Sequence, residues 1–289
     1  MISLKRSAAA FLALAAILIA PARCALFIAA HPDDVPLMMH KNAATDVATG
    51  YPTVFVLTTA GDAANGTGYA NNTMRIPYYR ARLRAFESIV HFWQGLNPDV
   101  PAPVPLRTTE LIAGKAIETV HMGNVVMYHL NLPDDMSLQQ LATGRLGMVT
   151  SLNPVNTYTL AELKEVMREI VRINNRAAAM VNLNTQDPDT RWNPGDHTDH
   201  VATGMIVNAA ITESPQMRCV NLLFYRGYVI QNFAPTYTQE ETRLHQATLG
   251  ALNAALVANG NRSTWDAFHN NFVGRMDFRG VPGAGYCNF

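Results

Sequence analysis

Short apolar segments alternate with amphipathic helical segments along this chain, and this alternation limits the fold more than any other feature. Residues 25–30 and 53–58 are continuous apolar or β-branched runs, typical of strands that are buried on both faces of a sheet. Residues 75–93 repeat apolar side chains every three or four positions, which predicts an amphipathic helix. Because alternating strands and helices form βαβ units, we predict an α/β fold with a mainly parallel sheet.

The rest of the chain continues this pattern. Further strand-like segments lie at residues 125–130, 178–183 and 220–230, and further helical segments lie at residues 159–174, 201–211 and 239–257. The first of these helices opens on the capping-box sequence Thr159-Leu-Ala-Glu162. We interpret residues 98–105 as a loop insertion, so we expect residues 23–289 to form a single domain. The Gly-rich stretch after residue 261 should wrap over the surface of this domain.

Residues 1–22 have the three regions of a secretory signal peptide. A basic start precedes an apolar run at residues 7–20, which is shorter than the roughly 20 residues that span a bilayer. The run leads into the small-x-small pattern Ala20-Pro21-Ala22, where cleavage would occur. We therefore expect a secreted or periplasmic protein that keeps no stable membrane span after cleavage. An uncleaved anchor helix is the alternative.

Charge and cysteine content narrow the class of protein further. The 22 Lys and Arg residues balance 22 Asp and Glu residues, so the chain lacks the basic excess of a nucleic-acid binder. Three cysteines in 289 residues are too few for a disulfide scaffold. After export, Cys219 and Cys287 could pair, although the sequence does not fix the connectivity. Arg23 is a poor context for lipidation of Cys24, so we do not expect a lipoprotein.

Two motifs rich in histidine and aspartate each follow a predicted strand. His31-Pro-Asp-Asp34 follows the first strand, and Asp196-His-Thr-Asp-His200 comes after the fourth strand and a loop that contains Pro and Gly. In a parallel α/β sheet, the segments that follow strands lie at the carboxyl edge, where ligands bind. We therefore expect both motifs at one edge of the sheet, although they lie far apart in sequence.

The residue types in these two motifs suit a catalytic metal. Imidazole and carboxylate groups bind zinc, and a catalytic zinc keeps three protein ligands and one open position. Two histidines and one carboxylate complete that set, and the remaining carboxylate and histidine can transfer protons. Taken alone, the first motif could simply cap a helix, and the second could be a surface histidine pair. That both motifs follow strands favours a shared site.

With these motifs, the chain resembles the PIG-L / LmbE-like family of zinc-dependent de-N-acetylases, which remove acetyl groups from N-acetylglucosamine conjugates. The sequence Ala-His-Pro-Asp-Asp at residues 30–34 and the sequence His-x-Asp-His at residues 197–200 carry the resemblance. Between them, Thr-Thr-Ala-Gly-Asp at 58–62 and Leu-Pro-Asp at 132–134 also match. The resemblance runs from about residue 25 to residue 210. It implies an LmbE-like, Rossmann-like fold with helices on both faces of the sheet.

The resemblance also implies chemical roles for five residues. His31, Asp34 and His200 would bind the metal, which is Zn²⁺ or another divalent ion such as Fe²⁺. Asp33 would be the general base that takes a proton from the attacking water. His197 would act as a general acid or would stabilise the oxyanion of the tetrahedral intermediate.

The resemblance extends to two residues that would bind the substrate. In the family, an arginine at the start of the second helix holds sugar hydroxyls; Arg80 matches it best, and Arg82 is the next candidate. Asp134 matches a carboxylate that binds sugar hydroxyls. Two positions depart from the family pattern, since Val35 replaces an acidic residue and Leu83 replaces a glutamate. Neither position is a metal ligand, but both departures bear on the identity of the substrate.

The motifs and the resemblance together imply an exported, metal-dependent hydrolase that removes the acetyl group from an N-acetylated amino sugar or its conjugate. A water molecule activated by the metal would attack the amide carbon. Two alternatives stay open: a deacylase of another amide-linked glycan or lipid conjugate, and a carbohydrate-binding pseudoenzyme. We expect a small-molecule or glycan partner with an N-acetyl group, and no nucleic acid. The sequence leaves the oligomeric state open.

Overall fold

The computed structural model describes residues 24–68, 75–99, 103–176, 178, 180–265, 267–287 and 289. The predicted signal peptide at residues 1–22 lies outside the described residues, as do residues 100–102 of the predicted loop insertion. Export therefore stays a prediction. Within the described ranges, no helix combines the length and the apolar character that a membrane span requires.

A mixed sheet of eight strands forms the centre of the fold. The strands of the chain are β1 (Ala25–Ala29), β2 (Thr53–Thr59), β3 (Leu106–Ile112), β4 (Lys115–Met122), β5 (Val125–Leu132), β6 (Val149–Thr150), β7 (Thr157–Tyr158), β8 (Val181–Gln186), β9 (Val220–Tyr225) and β10 (Phe278–Val281). The main sheet has the order β10-β9-β8-β1-β2-β5-β4-β3, and β6 and β7 pair separately. The central strands β9, β8, β1, β2 and β5 run parallel, whereas the outer strands pair antiparallel. The prediction of a mainly parallel α/β sheet is confirmed.

Helices cover both faces of this sheet. They are α1 (Asp34–Met38), α2 (His40–Ala48), α3 (Tyr78–Gln94), α4 (Ser137–Ala142), α5 (Leu160–Asn174), α6 (Thr198–Thr212), α7 (Gln239–Ala258) and α8 (Ala267–Asn270). Neighbouring strand residues point to opposite faces, so Phe27 and Leu26 belong to two separate apolar cores. The first core contains residues of α2, α3 and α7, and the second contains residues of α4, α5 and α6. Thr159 and Glu162 form the predicted capping box at the start of α5.

The hairpin of β3 and β4 is the largest element that the sequence pattern did not predict. Strand β3 lies at the edge of the sheet and is mostly exposed, so its sequence contains no continuous apolar run. Its turn, Ala113–Gly114, has φ values of 47° and 77°, as two-residue hairpin turns require. The predicted strand at 178–183 is displaced, since β8 spans Val181–Gln186. The C-terminal stretch contributes β10 to the sheet instead of only covering its surface.

Cys219 and Cys287 form a disulfide bond, with their Cα atoms 4.7 Å apart. Cys219 directly precedes β9, and Cys287 follows β10, which pairs with β9. The bond therefore fixes the C-terminal tail against the edge of the sheet. Cys24 is a buried free cysteine. Of the cysteine pairings that the sequence left open, the Cys219–Cys287 disulfide is the one present in the structure.

A buried histidine pair makes the stability of the fold sensitive to acid. His40 and His245 stack with ring centroids 4.4 Å apart, and both side chains are buried. Burial lowers the pKa of His40 to about 2 and the pKa of His245 to about 4, from an ordinary value of 6.5. Below pH 6.5 the unfolded chain therefore binds protons that the folded chain does not. The free energy of unfolding should fall as the pH drops from 6.5 towards 4.

Replacing His245 with Asn should remove part of this acid sensitivity. Between pH 6.5 and its folded-state pKa, one buried histidine contributes up to about 1.4 kcal/mol per pH unit. Asn can still accept the hydrogen bond that the Gly274 N–H donates to His245 Nδ1 at 3.2 Å. Denaturant unfolding at pH 7 and pH 5 should show a smaller loss of stability in His245→Asn than in the wild type. An equal loss in both proteins would contradict this assignment.

Candidate metal centre

The two predicted motifs meet at the carboxyl edge of the sheet. Strands β1 and β8 pair directly and in parallel, so the segments that follow them leave from the same edge. His31 lies two residues after the end of β1, and Asp34 begins α1. His200 lies in the first turn of α6, which follows the loop after β8. The topology thus joins motifs that are far apart in sequence, as predicted.

The three predicted metal ligands direct their donor atoms to one point. His31 Nδ1 lies 3.1 Å from His200 Nε2, and His200 Nε2 lies 2.9 Å from Asp34 Oδ1. His31 Nδ1 lies 3.4 Å from Asp34 Oδ2, and all three side chains are buried. Around a tetrahedral zinc with bonds of about 2.0–2.2 Å, ligand atoms lie about 3.3–3.6 Å apart. The donor set therefore suits a divalent metal ion, and its separations of 2.9, 3.1 and 3.4 Å lie within about 0.4 Å of that spacing.

A carboxylate hydrogen-bonded to the ring orients His200, and two more carboxylates lie near the outer nitrogen of His31. His200 Nδ1 donates to Asp196 Oδ1 at 2.9 Å, which leaves the Nε2 lone pair for a metal. His31 Nε2 lies 3.5 Å from Asp134 Oδ1 and 3.7 Å from Asp199 Oδ2, so a proton on Nε2 leaves Nδ1 free. Neither Asp196 nor Asp199 was predicted to have a role of its own. The i,i+4 spacing of Asp196 and His200 in the sequence could have identified Asp196 as the partner of this histidine.

Asp34 is held by hydrogen bonds to one of its two oxygens. The backbone N–H of His31 donates to Asp34 Oδ2 at 2.6 Å, and Gln186 Nε2 donates to the same atom at 2.7 Å. The side-chain carbonyl oxygen of Gln186, Oε1, in turn accepts a hydrogen bond from the backbone N–H of Ala30 at 3.0 Å. Asp34 Oδ1 is therefore the oxygen that faces His200. Gln186 ends a buried strand, and no sequence signal distinguished it from a core residue.

Charges within the ligand set shift its pKa values in opposite directions. Burial lowers the pKa of His200, but Asp34 and Asp196 outweigh burial and raise it to about 9. Burial raises the pKa of Asp34, but His200 and His31 outweigh burial and hold it well below its usual range. Without a metal, the histidines therefore hold protons that a metal must displace. Metal affinity should consequently weaken as the pH falls.

Asp33, the predicted general base, lies beside the ligand set and pairs with an arginine. Arg82 Nη2 donates to Asp33 Oδ1, and Arg82 Nη1 donates to the Gly61 carbonyl at 2.7 Å. Gly61 has a left-handed φ of 61°, and a Cβ there would lie 2.7 Å from Arg82 Nη1. Only glycine permits this approach. The loop after β2 therefore positions Arg82, and Arg82 positions Asp33.

His197, the predicted acid or oxyanion stabiliser, is the N-cap residue of α6. Its Nδ1 accepts a hydrogen bond from the backbone N–H of Asp199 at 3.2 Å, so the ring carries its proton on Nε2. Burial and the neighbouring rings of His31 and His200 lower the pKa of His197. The ring is therefore neutral at neutral pH and can donate one hydrogen bond. His197, His31 and His200 bring ligand atoms within 4.8 Å of one another.

Asp134 lies in the same cavity, as predicted. Its Oδ2 accepts from the backbone N–H of Ala63 at 3.2 Å, and its own N–H donates to Asp62 Oδ1 at 2.7 Å. Arg82 Nη1 lies 4.0 Å from Asp134 Oδ2. Burial raises the pKa of Asp134, but His31 and Arg82 outweigh burial and lower it.

Arg80, the first choice for the substrate arginine, does not line this cavity. Its Nη1 donates to both carboxylate oxygens of Glu118 in β4, at 2.6 and 2.7 Å. Two residues along a helix correspond to a rotation of about 200°, so Arg80 and Arg82 leave α3 in different directions. In the structure Arg82, the second candidate, lines the cavity and Arg80 does not, so Arg80 as the arginine that binds substrate stays a prediction. Val35 and Leu83, the two departures from the family pattern, are both buried in the core.

A cavity of about 160 Å³ joins these groups. Its lining contains His31, Asp33, Asp34, Leu37, Arg82, Asp134, His197, Tyr228 and His269. Tyr228 and His269 come from the C-terminal part of the chain, and no motif indicated them. Tyr228 is placed by Gly227, where a Cβ would lie 2.0 Å from Asp196 Oδ1. A close approach of backbone to carboxylate therefore requires this glycine.

Comparison with known proteins gives a family match and solved structures of similar fold. Residues 26–211 match the family described as PIG-L: GlcNAc-PI de-N-acetylase. No curated protein matches the sequence. The N,N'-diacetylchitobiose deacetylase from Pyrococcus horikoshii, solved with its inhibitor MPG, has a similar structure, with 16% identity and a TM-score of 0.53. The match covers 98% of this chain and 95% of that chain.

Two further solved structures are less similar. GalB, the 4-carboxy-2-hydroxymuconate hydratase from Pseudomonas putida KT2440, has 10% identity and a TM-score of 0.47, over 86% of this chain and 82% of its own. A deacetylase triple mutant from the teicoplanin biosynthetic pathway has 13% identity and a TM-score of 0.47, over 86% of this chain and 88% of its own. At these identities the likeness to solved structures concerns the fold alone.

Proposed function

The chain belongs to the PIG-L family of GlcNAc-PI de-N-acetylases, and on that premise we propose an exported, metal-dependent hydrolase that deacetylates an N-acetylated amino sugar or its conjugate. The convergence of His31, Asp34 and His200 beside a second carboxylate and a neutral histidine carries the proposal. A solved protein of the same fold is, by its name, a deacetylase of N,N'-diacetylchitobiose. That name supports an N-acetylated sugar as the substrate class.

The metal site we propose consists of His31, Asp34 and His200, with Zn²⁺ as the ion and Fe²⁺ as the alternative. When bound, the ion would supply Lewis acidity, which polarises the amide carbonyl and makes a water molecule more acidic. Asp196 would keep the lone pair of His200 directed at this point, because it holds the proton of the opposite ring nitrogen.

Asp33 would carry the proton between water and the leaving amine. As the water oxygen adds to the amide carbon, Asp33 would take one proton from it. The same proton would pass to the amide nitrogen as the C–N bond breaks, so that acetate and a free amine are formed. The contact with Arg82 supports this role because it fixes the orientation of the carboxylate.

His197 would stabilise the negative charge that develops on the carbonyl oxygen. Its Nδ1 accepts from the Asp199 N–H, so its Nε2–H remains as a donor. A neutral donor that is already positioned can stabilise an oxyanion without reorganisation. Arg82 and Asp134 would bind sugar hydroxyls, since a guanidinium donates hydrogen bonds and a carboxylate accepts them.

Export is the part of the proposal that rests on the sequence of residues 1–22. The Cys219–Cys287 disulfide supports it, because disulfides persist in oxidising compartments. We propose a secreted or periplasmic protein whose mature chain begins at residue 23.

The test is product analysis with the mature chain, residues 23–289, loaded with Zn²⁺. We expect acetate and a primary amine in equal amounts from N-acetylglucosamine or N,N'-diacetylchitobiose. A substrate panel should include amino sugars with longer N-acyl chains. Hydrolysis of those compounds alone would favour the deacylase of another conjugate. Sugar binding without any product would favour the pseudoenzyme and contradict the proposal.

A further inference from the structure

A second cavity of about 440 Å³ lies beside the start of α3, between that helix and the β3–β4 hairpin. Arg80, Thr109 and Glu118 are among the residues that line it, and none of the proposed catalytic residues does. We propose that this second cavity is a subsite for the neighbouring sugar of an oligosaccharide whose N-acetylated unit occupies the 160 Å³ cavity. The inference rests on the proposed function, because it specifies a longer substrate for the same site.

Two chain segments connect the second cavity to the catalytic cavity. Helix α3 carries Arg80 to the second cavity and Arg82 to the catalytic cavity, although the two side chains leave the helix in different directions. Asn131, in β5, donates from Nδ2 to Glu118 Oε2 at 3.1 Å. Asp134, three residues later, lines the catalytic cavity. Three residues of chain span at most about 11 Å, so Asp134 in the catalytic cavity and Glu118 in the second cavity are close enough for us to propose one oligosaccharide across both.

The charges in and behind the second cavity cancel. Arg80 pairs with Glu118 at 2.6 Å, and Arg107 pairs with Glu87 through two hydrogen bonds. The cavity thus offers fixed donors and acceptors with no net charge. An anion would have to compete with Glu118 for the guanidinium of Arg80. A hydroxyl can accept from a guanidinium and donate to a carboxylate at once, so a neutral sugar matches this lining.

In the part of the chain that the structure describes, several buried polar atoms of β5 next to Glu118 have no hydrogen-bond partner. His129 lies directly across from Glu118 in the strand register, is 2% exposed, and has no partner on either ring nitrogen. Asn131 Oδ1 is also unpaired, and Asn131 holds a left-handed φ of 55°. Because buried polar atoms are normally hydrogen-bonded, these atoms show that the wall behind Glu118 is polar, whereas the groups that line the cavity itself are those of Arg80, Thr109 and Glu118.

Filling the second cavity tests the proposal without removing a buried contact. Thr109 is exposed on β3, so Thr109→Trp should place an indole in the cavity while the fold is kept. Leu106→Trp is the matched control, because Leu106 is 61% exposed on the same strand and does not line the cavity. For the Zn²⁺-loaded mature chain, Thr109→Trp should lower kcat/KM on N,N'-diacetylchitobiose at least about tenfold, or ~1.4 kcal/mol. Its kcat/KM on N-acetylglucosamine should not change.

Calorimetric titration with N,N'-diacetylchitobiose separates this proposal from the proposed function. Disaccharide binding that weakens in Thr109→Trp, but not in Leu106→Trp, supports the subsite even if no protein releases acetate. Deacetylation with equal kcat/KM on the disaccharide in all three proteins would overturn the subsite and leave the deacetylase intact. An equal loss on both substrates, or no disaccharide binding by the wild type, would also overturn it.

Discussion

Replacing Asp33 with Asn is expected to reduce kcat for deacetylation by about 10²–10⁴-fold, the range that a positioned general base contributes. Asn has the same shape as Asp but cannot accept a proton from water. It can still accept the hydrogen bond from Arg82. Because His31, Asp34 and His200 are unchanged, bound metal should stay at the wild-type level. Acetate release in single-turnover and steady-state assays measures the effect, and elemental analysis measures the metal.

The metal measurement decides between two roles for Asp33. Its carboxylate lies within 4.8 Å of ligand atoms of His31 and Asp34, so it could bind the metal instead of acting as the base. Loss of metal in Asp33→Asn would support that role, and full activity would remove Asp33 from the mechanism. Asp135→Asn is the matched control, because Asp135 is an exposed carboxylate next to Asp134 that does not line the cavity.

Replacing His200 with Ala is expected to abolish stoichiometric metal binding and, with it, acetate release. The substitution removes the donor atom that lies 3.1 Å from His31 Nδ1 and 2.9 Å from Asp34 Oδ1. It also leaves Asp34 and Asp196 as buried carboxylates without their shared histidine. Removing one partner of a buried ion pair typically costs about 3–5 kcal/mol of stability. Thermal unfolding of the variant must therefore accompany the metal analysis.

Asp196→Asn keeps the prediction testable if His200→Ala does not fold. This variant retains all three ligands and changes only the acceptor behind His200 Nδ1. Loss of such an orienting carboxylate typically weakens metal affinity by about 10–100-fold. His91→Ala, at an exposed histidine outside the cavity, should bind metal as the wild type does. Wild-type metal binding by both His200→Ala and Asp196→Asn would contradict the site.

The sequence sufficed for the centre of this site because one motif directly follows a buried strand and the other follows a buried strand and a short loop. The apolar run before His31 and the strand before His200 predicted that both segments leave from one sheet edge, and the pairing of β1 with β8 joins them. The backbone contacts of Asp34 are also local, since its Oδ2 accepts from the His31 N–H. Local geometry and strand order together therefore position the ligand set.

The choice between Arg80 and Arg82 could not be made from the sequence. Both lie in the first turns of α3, and the partner that draws Arg80 away is Glu118, on a hairpin that the apolar pattern did not predict. An edge hairpin with polar, half-exposed strands has no continuous apolar run. The position of Arg80 therefore depends on a hairpin that the sequence pattern did not predict.

The C-terminal wall of the cavity also depends on contacts between distant parts of the chain. Tyr228 packs against Phe268 and Phe272, with ring centroids 5.2 and 5.9 Å apart. These aromatic residues resemble ordinary core residues in the sequence. The need for glycine at position 227 is visible only in the structure, where the Asp196 carboxylate lies against its backbone. Such residues are recognisable as part of a site only once the chain is folded.

The most direct test of the central claim is zinc titration of acetate release by the metal-free mature chain. With N,N'-diacetylchitobiose in excess, we expect no acetate from the metal-free protein. The rate should then rise in proportion to added Zn²⁺ and level off at one ion per chain. Acetate release by metal-free protein, or none from any N-acetylated sugar after one Zn²⁺ is bound, would contradict metal-dependent deacetylation at this site.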